Sequence, residues 1–348
     1  MNAKHLLFLL CTLAVVACQP GRKDDTPDVA FYYWRTTFDL TPAERRTLED
    51  CQVKHLYIRY FDVKLDPVSG APVPESPVHF RCLPPKGIRV TPVVYITNAV
   101  MLRRETDPDS LASNVAAYIR RINQAVGLPE PNDVQIDCDW STGSRDRFMA
   151  FIDTLRHRGG FRSLSATIRL HQAKHHTVTR IPRVDRGVLM YYNMGALAPD
   201  SLNSIYDREI AKRYLGSLKR YPLSLDVAVP IYAWGVHIHE GRVTDLISRI
   251  SRADFERDTH FLVTRGSNRI TAKHATIKGG RYYFAGDEVK IEGVTSKDLL
   301  QMARDLSQHL RERPREVIFF DLDEHHFDKY ITNYENETDL FKNVVRRF

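Results

Sequence analysis

The sequence predicts an α/β protein, a (β/α)8 TIM barrel with a small α+β insertion after the seventh strand. Three observations point there. Eight strand-like stretches recur along the chain, most of them followed by a stretch with helical periodicity. No glycine-rich phosphate loop marks a doubly wound sheet, which is the alternative. The strands also end in polar and aromatic residues, as expected where a closed barrel carries its chemistry.

Composition agrees. A chain of 348 residues is long enough for one such barrel, and 43% hydrophobic with 27% charged residues is ordinary for a protein with a buried core. The net charge of +7 is mild and its basic residues are dispersed. Without an aromatic-interleaved basic patch or zinc-knuckle spacing, nucleic acid is not an expected partner.

The chain opens with Met1-Asn2-Ala3-Lys4, a short basic segment, then His5 to Val16, an apolar run too short to span a bilayer. It ends Leu13-Ala14-Val15-Val16-Ala17-Cys18, which resembles a bacterial lipobox, whose Cys is lipidated and becomes the new N-terminus. Residues 1–17 are then a signal peptide, Cys18 the lipidation site and 18–28 a flexible tether. Gln19 resembles the outer-membrane sorting case, and Lys23-Asp24-Asp25 the export tags of Bacteroidetes lipoproteins. The expected location is the bacterial outer membrane, facing the periplasm or the cell surface. Cys51, Cys82 and Cys138 remain; one disulfide at most can form, with Cys51–Cys82 possible, and none has metal-ligand spacing.

The barrel domain is read over 29–348. Val29 to Arg35 is a first strand, rich in aromatics, and Thr41 caps a helix with Pro42 in its first turn. Lys54 to Val63 is the second strand. A proline-rich loop and an unassigned stretch near Val78-His79-Phe80 lead to Gly87 and the third strand, Ile88 to Thr97. Asp107-Pro108-Asp109 starts a helix that runs to Val126-Gly127. The fourth strand is Asp133 to Ser141, followed by a helix over 145–158 that stops at Gly159-Gly160. The fifth and sixth strands are Leu164 to His171 and Gly187 to Met194, with a helix over 200–220. The seventh is Leu225 to Trp234. From about 236 to 294 the rhythm breaks, with β-like pieces at 259–264 and 282–291; this is the insertion. A helix over 296–313 and an eighth strand, Arg315 to Asp323, complete the alternation.

The fourth strand organises the candidate chemistry. Val134, Ile136 and Cys138 alternate with Gln135, Asp137 and Asp139, so the two carboxylates share a face about 7 Å apart along it. Like charges beside an apolar environment push one carboxyl up in pKa, the arrangement acid/base chemistry uses. The plain alternative is two solvated acids, or acids paired with arginines. The other strand ends add Arg35, Arg59, Asp62, Arg169, His171, Tyr192, Asn193, Tyr232, Trp234, Asp321 and Asp323. Buried charge needs partners, so this convergence reads as a site for a polar ligand. Trp34, Trp140 and Trp234 suit sugar rings, whose C–H faces pack on aromatic planes, and equally suit a core.

These motifs resemble a known family. The carboxylate strand is similar to the DxxDxDxE strand of the family 18 chitinases. Met190-Tyr191-Tyr192-Asn193 resembles their sixth-strand MxYD or MxYN, and Val229-Pro230-Ile231-Tyr232 their seventh-strand Pro-x-Tyr. The insertion falls where that family often carries one, and the resemblance covers most of the chain from residue 30 onward. It implies a glycan ligand. Aligned on Asp137 and Asp139, the family's first Asp falls on Val134 and its proton-donating Glu on Ser141. A serine cannot serve as the general acid. The resemblance further implies that Asp139 orients a substrate acetamido group, helped by Tyr192 and Asn193, with Asp137 as its structural partner.

The resulting expectation is a lipid-anchored glycan-acting barrel, a divergent glycoside hydrolase that needs no cofactor or metal. Asp139 is the expected catalytic carboxylate, Asp137 tunes it, and Asp62 or Asp323 is the second carboxyl. Arg35, Arg59, Trp140, Arg169, His171, Tyr192, Asn193, Tyr232 and Trp234 are the expected substrate contacts. The alternative is a non-catalytic, lectin-like surface lipoprotein that lost the family's Glu. A metal-dependent hydrolase using Asp137, Asp139 and His171 lacks recognisable ligand spacing.

Overall fold

Eight parallel strands close on themselves: Asp28–Tyr33, His55–Leu65, Arg89–Ile96, Asp133–Asp137, Ser163–Arg169, Arg186–Met190, Leu225–Pro230 and Glu316–Phe320. Each pairs with the next, and the last returns to the first, with Ala30 opposite Ile318 and Tyr32 opposite Tyr57. Closure leaves the barrel no free edge. The structure is a computed structural model that describes residues 26–327, 330 and 337–348. The expected signal peptide, the lipidation site Cys18 and most of the tether lie outside the described residues. Among those described, no helix is long and apolar enough to cross a membrane.

The helices start where their caps predict. Pro42–Asp50 opens on a capping box, in which the Thr41 hydroxyl accepts the Glu44 N–H at 3.2 Å and the Glu44 carboxylate accepts the Thr41 N–H at 3.1 Å. Pro108–Val126 is capped by the Asp107 side chain and ends at Gly127, whose φ of 71° is left-handed and favours glycine. Arg145–Arg158 packs beside it. Cys51, Cys82 and Cys138 are all free thiols, so the possible Cys51–Cys82 bridge is not made.

All eight expected strands are present, but most end earlier than the sequence suggests. The fourth stops at Asp137, the sixth at Met190 and the seventh at Pro230, and their polar tails continue as loops. The helix expected over 200–220 is confined to Arg208–Leu218, because the preceding loop is held by contacts with the insertion. That insertion begins at Ala233, so Trp234 belongs to it rather than to the seventh barrel strand. Its antiparallel sheet runs Arg242–Ser248, Ala233–His239, Glu288–Gly293, Arg269–Ala272, Phe261–Val263. The β-piece expected over 282–291 divides into Arg281–Tyr283 and Glu288–Gly293, with Gly286 between them at φ 89°. A separate small core of Ile247, Phe255, Phe261, Ile270, Tyr283 and Val289 supports it.

Candidate active site

The fourth barrel strand delivers Asp137 into the barrel mouth but does not carry Asp139 with it. The parallel ladder ends with Asp137 opposite Tyr95, and the chain leaves the strand at Cys138. Asp137 is 3% exposed, and the Thr167 hydroxyl donates to its Oδ1 at 2.6 Å. Burial pushes its carboxyl above the usual range, with Asp139 adding to the effect and Arg169 opposing it. Asp139, by contrast, has a side chain 43% exposed and is gripped by the Arg169 guanidinium at two points. The strand ends two residues before Asp139, which therefore stands beyond the parallel ladder.

Of the hollows that open at this end of the barrel, two share Arg169 in their linings. The larger, about 600 Å³, is lined by Asp62, Asp137, Asp321, Asp323, Arg35, Arg169 and Arg249 among its charged groups. Its aromatic wall comprises Trp34, Tyr95, Tyr192, Tyr232, Trp234 and Phe320. Ring centroids lie 5.2 Å apart for Trp34–Phe320, 5.4 Å for Tyr192–Phe320 and 5.3 Å for Tyr232–Trp234. The smaller, about 320 Å³, contains Asp139, His171, Met194 and Tyr214. Both are lined by Arg169, Tyr192 and Asn193, so the Arg169–Asp139 pair stands at their boundary. A third hollow, about 520 Å³, lies between the hairpin at residues 61–74 and helix Pro108–Val126, away from these carboxylates.

Most of the carboxylates are already neutralised. Asp62 accepts from Arg59 Nε at 2.8 Å and has Lys64 at 3.7 Å. Asp323 accepts from Arg249 Nε at 2.8 Å and from the His325 N–H at 3.1 Å. Burial alone would raise Asp323, but these partners outweigh it and hold the carboxyl below its usual range. Asp321 has the His326 imidazole at 3.3 Å. Arg35 is paired with the buried carboxylate of Glu44 at 2.7 Å. Burial disfavours charge on Arg169, but the carboxylates of Asp137 and Asp139 more than compensate and raise its pKa. Burial is also the main reason the His171 pKa lies below its ordinary value, with Asp139 opposing. It pushes Tyr95 up to about 12 and Tyr192 and Tyr232 higher still, so these hydroxyls stay neutral donors.

Two expected contacts are not at the mouth. Trp140 is fully buried, stacked on Phe148 with centroids 4.5 Å apart, its indole N–H on the Thr179 carbonyl at 2.9 Å. It is a core residue facing a helix and cannot receive a sugar. Arg59 is 5% exposed, lines neither hollow, and donates to Asp62 and to the Ser76 carbonyl at 3.1 Å. It holds Asp62 rather than a ligand. Ser141, where the family's Glu would stand, lines neither hollow; its hydroxyl lies 3.4 Å from Asn98 Nδ2 and 3.3 Å from the Ser144 hydroxyl.

Sequence reasoning missed Tyr95, Leu246, Arg249 and His326, all of which line the larger hollow. Leu246 and Arg249 come from the insertion, whose position over the mouth no periodicity reveals. His326 had a signal in Asp321-x-Asp323-x-x-His326. These three are the grouping of possible metal ligands among the described residues, with their ligating atoms within 4.8 Å of one another. The donor set suits a divalent cation. Arg249 already fills the cationic place beside Asp323, so a metal ion would have to displace that guanidinium.

Comparison with solved structures finds this barrel in glycan-degrading enzymes. The spore cortex-lytic enzyme SleL of Bacillus cereus matches with a TM-score of 0.52 at 14% identity, over 92% of this chain and 74% of that one. A GH18 chitinase from Cycas revoluta in complex with (GlcNAc)3 matches at 0.52 and 12% identity, over 91% and 98%. Chitinase ChiA74 from Bacillus thuringiensis matches at 0.51 and 11%, over 92% and 70%. No family model matches the chain, and no curated protein sequence matches it. The chain therefore has the chitinase-like (β/α)8 fold, in strongly divergent form.

Proposed function

We propose that this chain acts on glycans, holding a sugar strand across the barrel mouth and hydrolysing a glycosidic bond there. The carrying observation is the roughly 600 Å³ hollow in which a continuous aromatic wall faces four carboxyl groups. Aromatic planes receive the C–H faces of sugar rings, and hydrolysis needs a carboxyl that keeps its proton near neutrality beside one that does not. The first role we assign to Asp137, which lines the hollow at the end of its strand and whose carboxyl burial raises above the usual range. Asp139 fits it poorly, being tied to Arg169. The second carboxyl we assign to Asp321, whose neighbour is an imidazole, whereas Asp62 and Asp323 are each held by a guanidinium. Attachment through a lipid on Cys18 to the outer membrane, facing the periplasm or the surface, belongs to the same reading.

The second reading is a lectin-like barrel that binds without cleaving. Ser141 favours it: the position that supplies the family's acid carries a hydroxyl tied to Asn98 and Ser144. The two readings separate in one experiment. Protein lacking residues 1–18 is incubated with chitooligosaccharides and peptidoglycan fragments, beside Asp137→Asn, and products are followed by mass spectrometry. Release by the wild type, reduced about 10²–10⁴-fold in Asp137→Asn, supports the hydrolase. Binding without release selects the lectin, and neither binding nor release across the panel overturns the glycan reading.

A further inference from the structure

A buried lysine is costly unless its three donors are met, and the insertion carries one that is met in full. The Lys290 side chain is 0% exposed, as is that of Glu292. Its ammonium donates to the carbonyls of Ala198 at 2.8 Å, Asp200 at 3.1 Å and Leu202 at 3.0 Å, and lies 2.7 Å from Glu292 Oε1. The loop between the sixth barrel strand and its helix thus curls around a cation supplied by the insertion. Glu292 uses its other oxygen for a different set of partners. Oε2 accepts from the Trp234 indole N–H at 2.9 Å, from the Ser204 N–H at 3.2 Å and from the Ser204 hydroxyl. The sheet register sets this up, because Trp234 stands directly opposite Glu292 and Val236 opposite Lys290.

The contacts reach the sugar cavity by two routes. Trp234 lines it directly. Ser204 accepts the Gly195 N–H at 3.1 Å on its carbonyl, and Ile205 accepts the Asn193 N–H at 2.8 Å. Asn193 is thereby kept at φ 51°, a left-handed conformation rare for a residue with a side chain, with its Oδ1 on the Tyr232 hydroxyl. Glu292, through its Oε2 acceptor, and Lys290, through the loop carbonyls, therefore together hold the tryptophan, the asparagine and, through it, the tyrosine.

We propose that Glu292 and Lys290 are positioning residues that lock Trp234 and the 193–206 loop into one preformed wall of the glycan cavity, an inference that rests on the glycan reading above. They touch no substrate. Their effect is to order side chains before the ligand arrives, which otherwise costs affinity on binding.

The test compares Glu292→Leu, Glu292→Gln and Lys290→Met with the wild type, each first shown to be folded by its melting transition. Amide hydrogen exchange over 193–206 and tryptophan emission are read without ligand, and affinity for chitotetraose by calorimetry. Glu292→Leu and Lys290→Met are expected to lose protection in this loop, and Glu292→Leu to bind three- to tenfold more weakly. Glu292→Gln keeps an acceptor for the indole and is expected to retain affinity within about threefold while losing the ion pair. Unchanged exchange, emission and affinity in folded Glu292→Leu overturn the proposal. If the wild type itself binds no chitotetraose, that ligand choice fails, while exchange and emission still decide whether the wall is locked. A variant that does not fold leaves the decision to the Gln and Met variants.

Discussion

Both ends of this barrel bury charge, and one carboxyl at each, Glu316 at the base and Asp137 at the mouth, is treated in opposite ways. At the N-terminal end, Glu316 meets His55 Nδ1 at 2.9 Å, the Tyr57 hydroxyl at 2.8 Å and Arg89 at 3.1 Å. Burial would raise its pKa, but these partners bring it down to about 2. Asp226 beside it takes a two-point grip from Arg186, at 2.9 and 3.0 Å, and the N–H groups of Arg315 and Glu316. At the C-terminal end, Asp137 accepts from the neutral Thr167 hydroxyl, and burial pushes its carboxyl up against the opposing charge of Arg169. A saturated carboxylate with a depressed pKa serves stability. An under-partnered one beside an aromatic hollow is free to exchange a proton.

The comparison can be broken most forcefully at Glu316. Replacing it by Gln removes the carboxylate that His55, Tyr57 and Arg89 share, and stability should fall by about 3–5 kcal/mol in urea unfolding. Because the folded pKa is depressed, the contribution of Glu316 is present above the ordinary carboxylate range and lost as pH falls toward 2. The deficit of the variant should therefore shrink on acidification. A loss below about 1 kcal/mol at pH 7 would make the N-terminal network ornamental, since exposed pairs contribute that little.

The tryptophans sharpen the same contrast at smaller amplitude. Trp140→Phe removes a buried indole N–H from the Thr179 carbonyl and shrinks a stacked ring, and should cost about 2 kcal/mol of stability. Trp234→Phe keeps a ring in the cavity wall but abandons Glu292, and should weaken glycan binding more than it lowers the melting temperature. Equal melting shifts for both would mean that Trp234 is simply another core residue.

Much of the fold was legible because its signals are local. Eight apolar strand runs, the Thr41–Glu44 box, the Asp107 cap and Gly127 each fix a boundary by chemistry within a few residues. The site was legible only as a set of strand ends. Nothing local flagged Trp140 as core, because the strand and its alternation end at Asp137. The pairing of Arg59 with Asp62 accompanies a register shift between Arg59 and Phe61 within their own strand, and that of Arg169 with Asp139 depends on how adjacent strands stagger; no single sequence shows either. The insertion hid most. A sheet of short strands, some with little alternation, gave no hint that Arg249 would reach Asp323 or that Lys290 would be fully buried.

The smallest effect is the most diagnostic, because its sign is opposite to that at Glu316. A carboxyl whose folded pKa is raised binds its proton more tightly when folded, so it favours the native state at low pH. That favour is withdrawn as pH rises from the ordinary aspartate range through the folded value. At pH 7 the ionisable carboxyl of Asp137 therefore works against folding, first through burial and then through Asp139. Asp137→Asn removes the charge and keeps an oxygen able to accept from Thr167. The variant should be at least as stable as the wild type at pH 7, with the difference narrowing toward about pH 4, close to the ordinary aspartate pKa. Unfolding curves at both pH values measure it. A variant less stable at pH 7 would show that Asp137 anchors the mouth as Glu316 anchors the base, and its claim to carry a reacting proton would fall with the contrast.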